Sequence, residues 1–414
     1  MKFVSMMALG VSLALGTTAL VAVQPAEAQK KKEEKAPSYK LSKPVREAVA
    51  AAQALIKAND FPGAEAKLGQ AKAAATTEDD RYVVGSVGYD LARAQNSLPK
   101  QGEAIDMMLA SGRVPASNLA TFYFASGQIA YNNKDMAKAE QRLNQAIQAG
   151  VTDPNAYALL AEAKNQGGKP AEALAAIEQG IAKQKAAGQP APNEWYTRAI
   201  SIGYSAKLGP QLEKLTQDWL TAYPSPSNWR DSLTIYREVN KIDGEQDLDV
   251  MRLMRTAGAL KGERDYMDYV QATYLKFPAE ANAVIDEGAS NGTLNLASNK
   301  NASEIKALVK GKVASDKTAT NSAANDVKAG KGTAKLAVGT ADALYGYGDF
   351  AQAAALYRLA LQKGGVDTNL VNTRLGASLA RSGDKEGAKQ AFAAVTGPRA
   401  ALARYWTVWL DRRA

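Results

Sequence analysis

The sequence contains neither cysteine nor histidine among its 414 residues. These absences exclude a thiol nucleophile, a Cys/His metal site, a histidine general base and a disulfide. Strict alternation of apolar and polar residues, the pattern of a half-buried β-strand, is also scarce. After residue 28 no apolar run is long enough to span a bilayer. Alanine is abundant instead, and we predict an all-α protein.

Sequence motifs for catalysis are missing as well. We find no nucleotide-binding loop, no serine-nucleophile elbow and no metal-ligand cluster in the sequence. Two pairs of carboxylates lie close together, Asp247 with Asp249 and Glu263 with Asp265, and a carboxylate pair can hydrolyse a glycosidic bond. Acidic residues in such helical segments are far more common as surface groups. We therefore predict a protein that is not an enzyme and binds no cofactor or metal.

The first 28 residues have the pattern of a secretory signal peptide. Lys2 gives a positive start, residues 6–23 are apolar or small, and Ala26-Glu27-Ala28 fits the A-x-A cleavage rule. We predict cleavage after Ala28 and a periplasmic protein; the alternative is an uncleaved leader that holds an accessory subunit on the inner membrane. Residues 29–44, with a Lys/Glu run and two prolines, are predicted to be a disordered tether.

The formal charge is +9, and it is unchanged by removal of the leader, in which Lys2 and Glu27 cancel. Inside a cell this balance would raise nucleic acid as a partner, but an exported chain seldom meets it, and we expect none. Anionic polysaccharide and lipid headgroups are better candidates. The alternative is that dispersed lysines simply solvate an alanine-rich surface.

An alanine recurs through the chain in a fixed frame. Each of five alanines follows a small residue by twelve positions and precedes a bulky apolar residue by four, and four of them have an Asp four positions earlier. Two steps of the frame are 34 and 35 residues long. The small residues would let two helices cross closely, and the Asp would cap the second helix. The frame alanines are Ala64, Ala139, Ala173, Ala353 and Ala388.

This pattern resembles that of the tetratricopeptide repeat (TPR) family, which is roughly W-x2-L-G-x2-Y, then A-x3-F, then P over 34 residues. The matches begin at Tyr123, Tyr157 and Leu375 and cover about half the chain, without the tryptophan of the first helix. The resemblance implies an α-solenoid of antiparallel helix pairs, a TPR-like superhelix with a concave peptide-binding groove. The array is either one continuous superhelix or two modules joined by a polar segment.

Composition changes divide the predicted array. We assign residues 45–190 to an N-terminal TPR-like array, 191–290 to degenerate helical repeats, 291–335 to a polar insertion or linker, and 336–414 to C-terminal repeats with a capping helix. The final helix should begin at Pro398, and its apolar stripe either caps the array or docks a partner or membrane. The stripe consists of Leu402, Tyr405, Trp406, Trp409 and Leu410.

Two sets of residues are candidate binding sites. Some members of the TPR family clamp a C-terminal carboxylate with Lys and Asn on the inner side of their first helices. The equivalent positions here lack lysine and include an acid, so they predict a polar and aromatic groove for an extended or helical segment, or are simply solvent-facing. They are Phe124, Gln128, Tyr131, Asn132, Asn155, Glu162 and Asn165.

The second candidate lies in the aromatic-rich residues 191–290. Large side chains there either fill wide gaps between helices or form a ligand patch, whose candidates are Trp195, Trp219 and Trp229. Our leading hypothesis is a periplasmic protein–protein interaction scaffold that acts in envelope assembly or polymer export. The alternative is a carbohydrate- or cell-wall-binding helical protein that uses this central aromatic region.

Overall fold

The computed structural model describes residues 38–240 and 242–412, so the predicted signal peptide and most of the tether lie outside the described residues. The described residues form 20 α-helices and one 3₁₀ helix and contain no strand, which confirms the all-α prediction. The chain divides into two compact units that meet at Gln189 and Pro190. We call them unit 1 and unit 2.

Unit 1 is an array of four helix pairs. Its helices are α1 (Lys43–Lys57), α2 (Phe61–Ala74), α3 (Glu78–Ala94), α4 (Leu98–Ala110), α5 (Ala116–Asn132), α6 (Met136–Gln148), α7 (Asn155–Gln166) and α8 (Pro170–Ala186). Each odd-numbered helix packs against the helix that follows it, and each pair packs against the next pair. Contacts between neighbours in sequence are the organisation of a solenoid.

The predicted frame sets the helix crossings. All five frame alanines are fully buried. A methyl group built on Gly127 would lie 2.7 Å from Leu143 Cγ, and one built on Gly376 would lie 2.3 Å from Phe392 Cε1. No side chain fits at these two crossings without a shift, since real Cβ atoms do not approach other atoms so closely. The small residue is therefore what lets each pair close.

The frame aspartates are helix caps, as predicted. Each accepts a hydrogen bond from the backbone N–H three residues later, at 2.9–3.3 Å. The caps are Asp60, Asp135, Asp349 and Asp384. Each carboxylate satisfies one of the free N–H groups of the first turn and interacts favourably with the positive end of the helix dipole.

Unit 2 contains the remaining helices. They are α9 (Asn193–Ser205), α10 (Gly209–Ala222), α11 (Pro226–Asn240), α12 (Gly244–Thr256), α13 (Gly262–Thr273), α14 (Pro278–Ser290), α15 (Lys300–Lys328), α16 (Ala334–Gly346), α17 (Phe350–Lys363), α18 (Thr368–Ser382), α19 (Lys385–Ala393) and α20 (Ala400–Asp411). Besides neighbour contacts, α14 packs against α16, α12 against α18, and α10 against α20. The second half of unit 2 therefore doubles back along the first half.

The predicted polar insertion at 291–335 is wrong, because most of it is the 29-residue helix α15. Asn299 caps this helix by accepting from the backbone N–H of Ala302 at 2.8 Å. Ile305 and Val309 pack into one apolar cluster near its beginning, and Val327 packs into another near its end. A few well-placed apolar residues are enough to hold a helix whose other positions are polar.

The C-terminal helix closes unit 2. The 3₁₀ helix Gly397–Arg399 precedes α20, so the α-helix begins two residues after the predicted Pro398. All five residues of its apolar stripe are buried. The Tyr405 hydroxyl lies 2.6 Å from the Thr216 hydroxyl of α10, at the beginning of the unit. The stripe is thus used inside unit 2 and is not free to dock a partner or membrane. None of the described helices is long and apolar enough to cross a membrane.

Candidate functional site

Helices α5 and α7 bring most of the predicted groove positions onto one surface. They are the first helices of neighbouring pairs and contact each other. Gln166 Nε2 donates a hydrogen bond of 2.7 Å to the Tyr131 hydroxyl, which joins the two helices across this surface. Gln128, Tyr131, Glu162 and Asn165 are half-buried, whereas Asn132 and Asn155 are exposed. We call these six residues the α5–α7 surface.

Phe124 does not belong to this accessible set, because only 8% of it is exposed. Its ring contributes to helix packing, as an apolar side chain beside a helix crossing usually does. The predicted role of Phe124 as a groove residue is therefore wrong. The remaining side chains on the surface are polar or phenolic and can offer both donors and acceptors to a bound segment.

Helix α3 carries equivalent residues that the sequence reasoning missed. Tyr89 and Arg93 stand 35 positions before Phe124 and Gln128. Next to them, Asp90 is exposed, yet the protein around its carboxyl group displaces water and raises its pKa, an effect that Arg93 partly opposes. Burial also raises the pKa of Tyr89. The signal that could have found these positions is a weaker copy of the frame, in which Ala104 follows Ala92 by twelve positions and precedes Met108 by four.

The lysine of α7 has a structural role. Lys164 Nζ donates to Glu140 at 2.8 Å and to Glu172 at 2.5 Å, and Lys169 Nζ donates to Glu140 at 3.0 Å. The hydrogen bond from Lys164 lowers the pKa of Glu140. These contacts tie α6, α7 and α8 together. Lys164 is therefore engaged within the array.

The predicted aromatic patch is wrong, because its three tryptophans are core residues. Trp195, Trp219 and Trp229 are 5%, 5% and 4% exposed. The indole N–H of Trp219 donates to Asn193 Oδ1 at 2.8 Å, so its polar edge is satisfied inside the protein. The burial of the three tryptophans fits the interpretation that large side chains fill wide gaps between helices. The carbohydrate-binding hypothesis depended on these tryptophans being accessible, and they are not.

The four acids of the two carboxylate pairs each have a separate partner: three bind arginines, and Glu263 accepts a hydrogen bond from Asn299. Asp247 accepts two hydrogen bonds from Arg237, at 2.5 and 2.8 Å, and Asp265 accepts two from Arg230, at 2.8 and 3.2 Å. Asp249 belongs to a different and deeper group. Among the described residues, no cluster of three or more acidic side chains is arranged to hold a metal ion. The close spacing in sequence thus reflects helix-to-helix ion pairs.

Unit 2 buries a network of three acids and three arginines between α12, α14, α16, α18 and the 3₁₀ helix. Arg374 Nε donates to Asp249 at 2.9 Å, and its Nη1 donates to Asp342 at 2.8 Å. Arg399 Nη1 donates to the other Asp249 oxygen at 2.6 Å. The members are Asp249, Arg252, Glu280, Asp342, Arg374 and Arg399. Their formal charges sum to zero.

The rest of this network centres on Arg252. Its guanidinium donates to both oxygens of Glu280, at 2.9 and 2.7 Å, and lies 4.5 Å from the centre of the Tyr345 ring. Burial alone would raise the pKa of Asp249, but Arg374, Arg252 and Arg399 outweigh it, and the net pKa is lowered. The acids and arginines pair with one another, so the network holds helices together.

Comparisons with known proteins add a likeness in fold. No protein-family model matches the sequence, and no curated protein matches it. Pseudomonas aeruginosa pilF is 16% identical over 48% of this chain and 83% of its own, with a TM-score of 0.26. A tetratricopeptide repeat protein from Parabacteroides merdae is 14% identical over 63% of this chain and 99% of its own, also with a TM-score of 0.26.

A third similar structure is the TPR2AB domain of yeast Sti1 in complex with pHSP90. It is 13% identical over 72% of this chain and 97% of its own, with a TM-score of 0.26. Because these scores are low, we infer the TPR-like fold from the chain's own helix pairs, buried frame alanines and aspartate caps.

Proposed function

We propose that this protein is a non-enzymatic, periplasmic protein–protein interaction scaffold, and that it binds its partner on the α5–α7 surface of unit 1. The observation that carries the proposal is the alignment of accessible polar and phenolic side chains on two adjoining first helices, linked by the hydrogen bond between Gln166 and Tyr131. Stacked helix pairs of this kind present extended binding surfaces. The proposed setting is envelope assembly or polymer export.

The chemistry of the surface favours a peptide segment as the ligand. Amide side chains such as Gln128 and Asn165 can donate to and accept from a peptide backbone, and Tyr131 adds a rigid aromatic face with a hydroxyl. Glu162 adds a negative charge, which disfavours a free carboxylate at this point. An extended or helical segment with its own donors fits these groups best.

Unit 2 supports the proposal by contrast. Its inner helices pack in the three pairs α14 with α16, α12 with α18, and α10 with α20, and its buried charges are neutralised by each other. Side chains that already pack or pair within the unit are not available to bind a ligand. Within the repeats, the α5–α7 surface of unit 1 is therefore the better place for a partner.

Site-specific photocrosslinking in cells tests the binding surface. We would replace Gln128 and, separately, Asn165 with a photoreactive amino acid in the full-length chain. Gln141, an exposed residue of α6, is the matched control because it lies on a second helix of the same unit. Both groove positions should trap the same protein, and Gln141 should not. Failure of both to trap any protein at normal expression, or equal trapping from Gln141, would refute the proposal.

The proposed location has its own test. The leader pattern of residues 1–28 supports export, and N-terminal sequencing of the protein from the periplasmic fraction should give a chain that starts at Gln29. A chain that still starts at Met1 and sediments with membranes would support the inner-membrane alternative. This result is independent of the crosslinking, since a partner on α5–α7 could be reached from either form.

A further inference from the structure

Asn291 and Gly292 follow the last turn of α14 and are both exposed. Asparagine is a chemically labile residue, and a following glycine leaves its backbone nitrogen unhindered for attack on the side-chain amide. The Gly292 nitrogen bonds to Asn291 Cγ, its proton passes to the departing amide nitrogen, and ammonia leaves. Water then opens the succinimide ring to aspartate or isoaspartate. No other asparagine in the sequence precedes a glycine.

The Asn291 side chain is held by two hydrogen bonds. Its Nδ2 donates to the Tyr266 hydroxyl at 2.8 Å, and its Oδ1 accepts from the backbone N–H of Thr293 at 3.0 Å. The Tyr266 hydroxyl donates in turn to Glu287 at 3.2 Å, and only 2% of Tyr266 is exposed. A buried partner therefore fixes the amide group on which ring closure would act.

The backbone of the turn also opposes ring closure. Asn291 has φ −89° and ψ 3°, a conformation in which the Gly292 nitrogen is rotated away from the Asn291 Cβ. The five-membered ring forms only when this nitrogen and the Cβ are nearly eclipsed about the Cα–C bond. The Gly292 N–H is also engaged, since it donates to the carbonyl oxygen of Ala289 at 3.3 Å. Reaction therefore requires the turn after α14 to open.

We propose that Asn291 is a site of spontaneous deamidation, that its hydrogen bond to Tyr266 sets the rate, and that the product loosens the end of α14. Breaking this bond is part of the free energy needed to open the turn locally. The new carboxylate cannot donate to the Tyr266 hydroxyl, which it would share with Glu287 of the same charge. A negative charge is also unfavourable at the C-terminus of a helix.

Peptide mapping of the full-length protein tests the site. After incubation in mildly alkaline buffer, trypsin should release residues 277–300, and fragmentation mass spectrometry locates any amide converted to an acid within them. Conversion should occur at Asn291 before any other asparagine of this peptide. Protein unfolded in guanidinium chloride should convert many-fold faster than folded protein. The internal references are Asn282, Asn295 and Asn299.

Tyr266→Phe tests the hydrogen bond that sets the rate. It removes the hydroxyl and keeps the ring, and Glu287 keeps its pairing with Arg255 at 2.7 Å. The folded variant should deamidate several-fold faster than the wild type. Tyr274→Phe, at the end of the same helix, is the matched control because it leaves the bond between Asn291 and Tyr266 in place. In guanidinium chloride all three proteins should react at the same rate.

Asn291→Asp tests the consequence of the reaction. It should lower the urea midpoint of unit 2 followed by tryptophan fluorescence, whereas Asn295→Asp should not, because the Asn295 side chain accepts from Ala297 N–H at 2.9 Å and a carboxylate can do the same. An unchanged midpoint for Asn291→Asp would overturn the loosening. Equal rates for folded wild type and Tyr266→Phe would overturn the control by Tyr266. No preferential conversion at Asn291 in the unfolded protein would overturn the site itself.

Discussion

Replacing Arg374 by methionine should strongly destabilise unit 2. Arg374 links α12 to α16 and α18, because it donates to Asp249 and Asp342 at 2.9 and 2.8 Å in the buried network. Methionine fills similar space without the charge. Asp249 would keep its hydrogen bond from Arg399, and Asp342 would keep the one from Tyr357. The buried carboxylates of Asp249 and Asp342 would then have less positive charge nearby than is needed to offset their desolvation.

The size of the effect follows from this geometry. Removing one partner of a buried ion pair costs about 3–5 kcal/mol, because the remaining charge is left desolvated. With a urea dependence of about 3 kcal/mol per molar for a unit of this size, the midpoint should fall by about 1–2 M. Arg404→Met is the matched control, since Arg404 pairs with Glu213 at 3.4 Å near the surface. A pair of that kind contributes less than about 1 kcal/mol.

Tryptophan fluorescence isolates the relevant transition. All five tryptophans lie in unit 2, at positions 195, 219, 229, 406 and 409, so urea unfolding followed by their emission reports on that unit. The double variant Asp249→Asn, Arg374→Met should lose less than the sum of the two single variants, because neither charge is then left alone. A midpoint for Arg374→Met equal to that of Arg404→Met, or strictly additive losses, would refute the reasoning.

Three further predictions concern packing, pH and capping. Gly376→Ala should destabilise unit 2 by about 1–3 kcal/mol, because the added methyl group overpacks against Phe392, and adding Phe392→Leu should recover part of the loss. Gly339→Ala should instead stabilise unit 2 by about 0.5–1 kcal/mol, because a methyl group at that position meets no other atom. Both effects are measured by tryptophan fluorescence during urea unfolding. The pKa of Asp249 is lower in the folded state than in the unfolded state. The ionised carboxylate therefore stabilises unit 2 above about pH 4, and this stabilisation is lost as the pH falls below that value. Asp249→Asn should remove this part of the pH dependence of the urea midpoint. Asp135→Ala should cost unit 1 about 1 kcal/mol, seen by circular dichroism but not by tryptophan emission.

The helix pairs could be predicted from sequence because their determinants are local. A frame alanine, the small residue twelve positions before it and the aspartate cap all belong to one pair, so a single window of sequence contains the whole interaction. Gly127 and Leu143 illustrate this: they are 16 positions apart and in contact distance at one crossing. The resemblance to the TPR family also pointed to Gln128, Tyr131 and Asn165, which are half-buried on the first helices.

What could not be predicted depends on partners far away in sequence. Arg374 and Asp249 are 125 positions apart, and no local pattern couples them. The prediction of a tryptophan ligand patch was wrong for a related reason. From sequence alone, Trp219 is equally compatible with a core position and with a ligand patch, and only its neighbours in space distinguish the two. Helix α15 was missed because its buried anchors, such as Ile305 and Val327, are few among many polar residues.

The buried network also helps to determine which helices of unit 2 pack against each other where the chain doubles back. Apolar contacts are not directional, so alone they would discriminate poorly between α12 packed on α18 and the same helix packed one pair away. A guanidinium group donates strong hydrogen bonds only to carboxylates that lie in the right position and plane. Any other packing of these helices would leave a buried charge unpaired, which costs free energy. We infer that Asp249 and Arg374 select this pairing rather than simply strengthen it. The coupling energy from their double-mutant cycle tests the inference, because a value near zero would remove the penalty on which the selection depends.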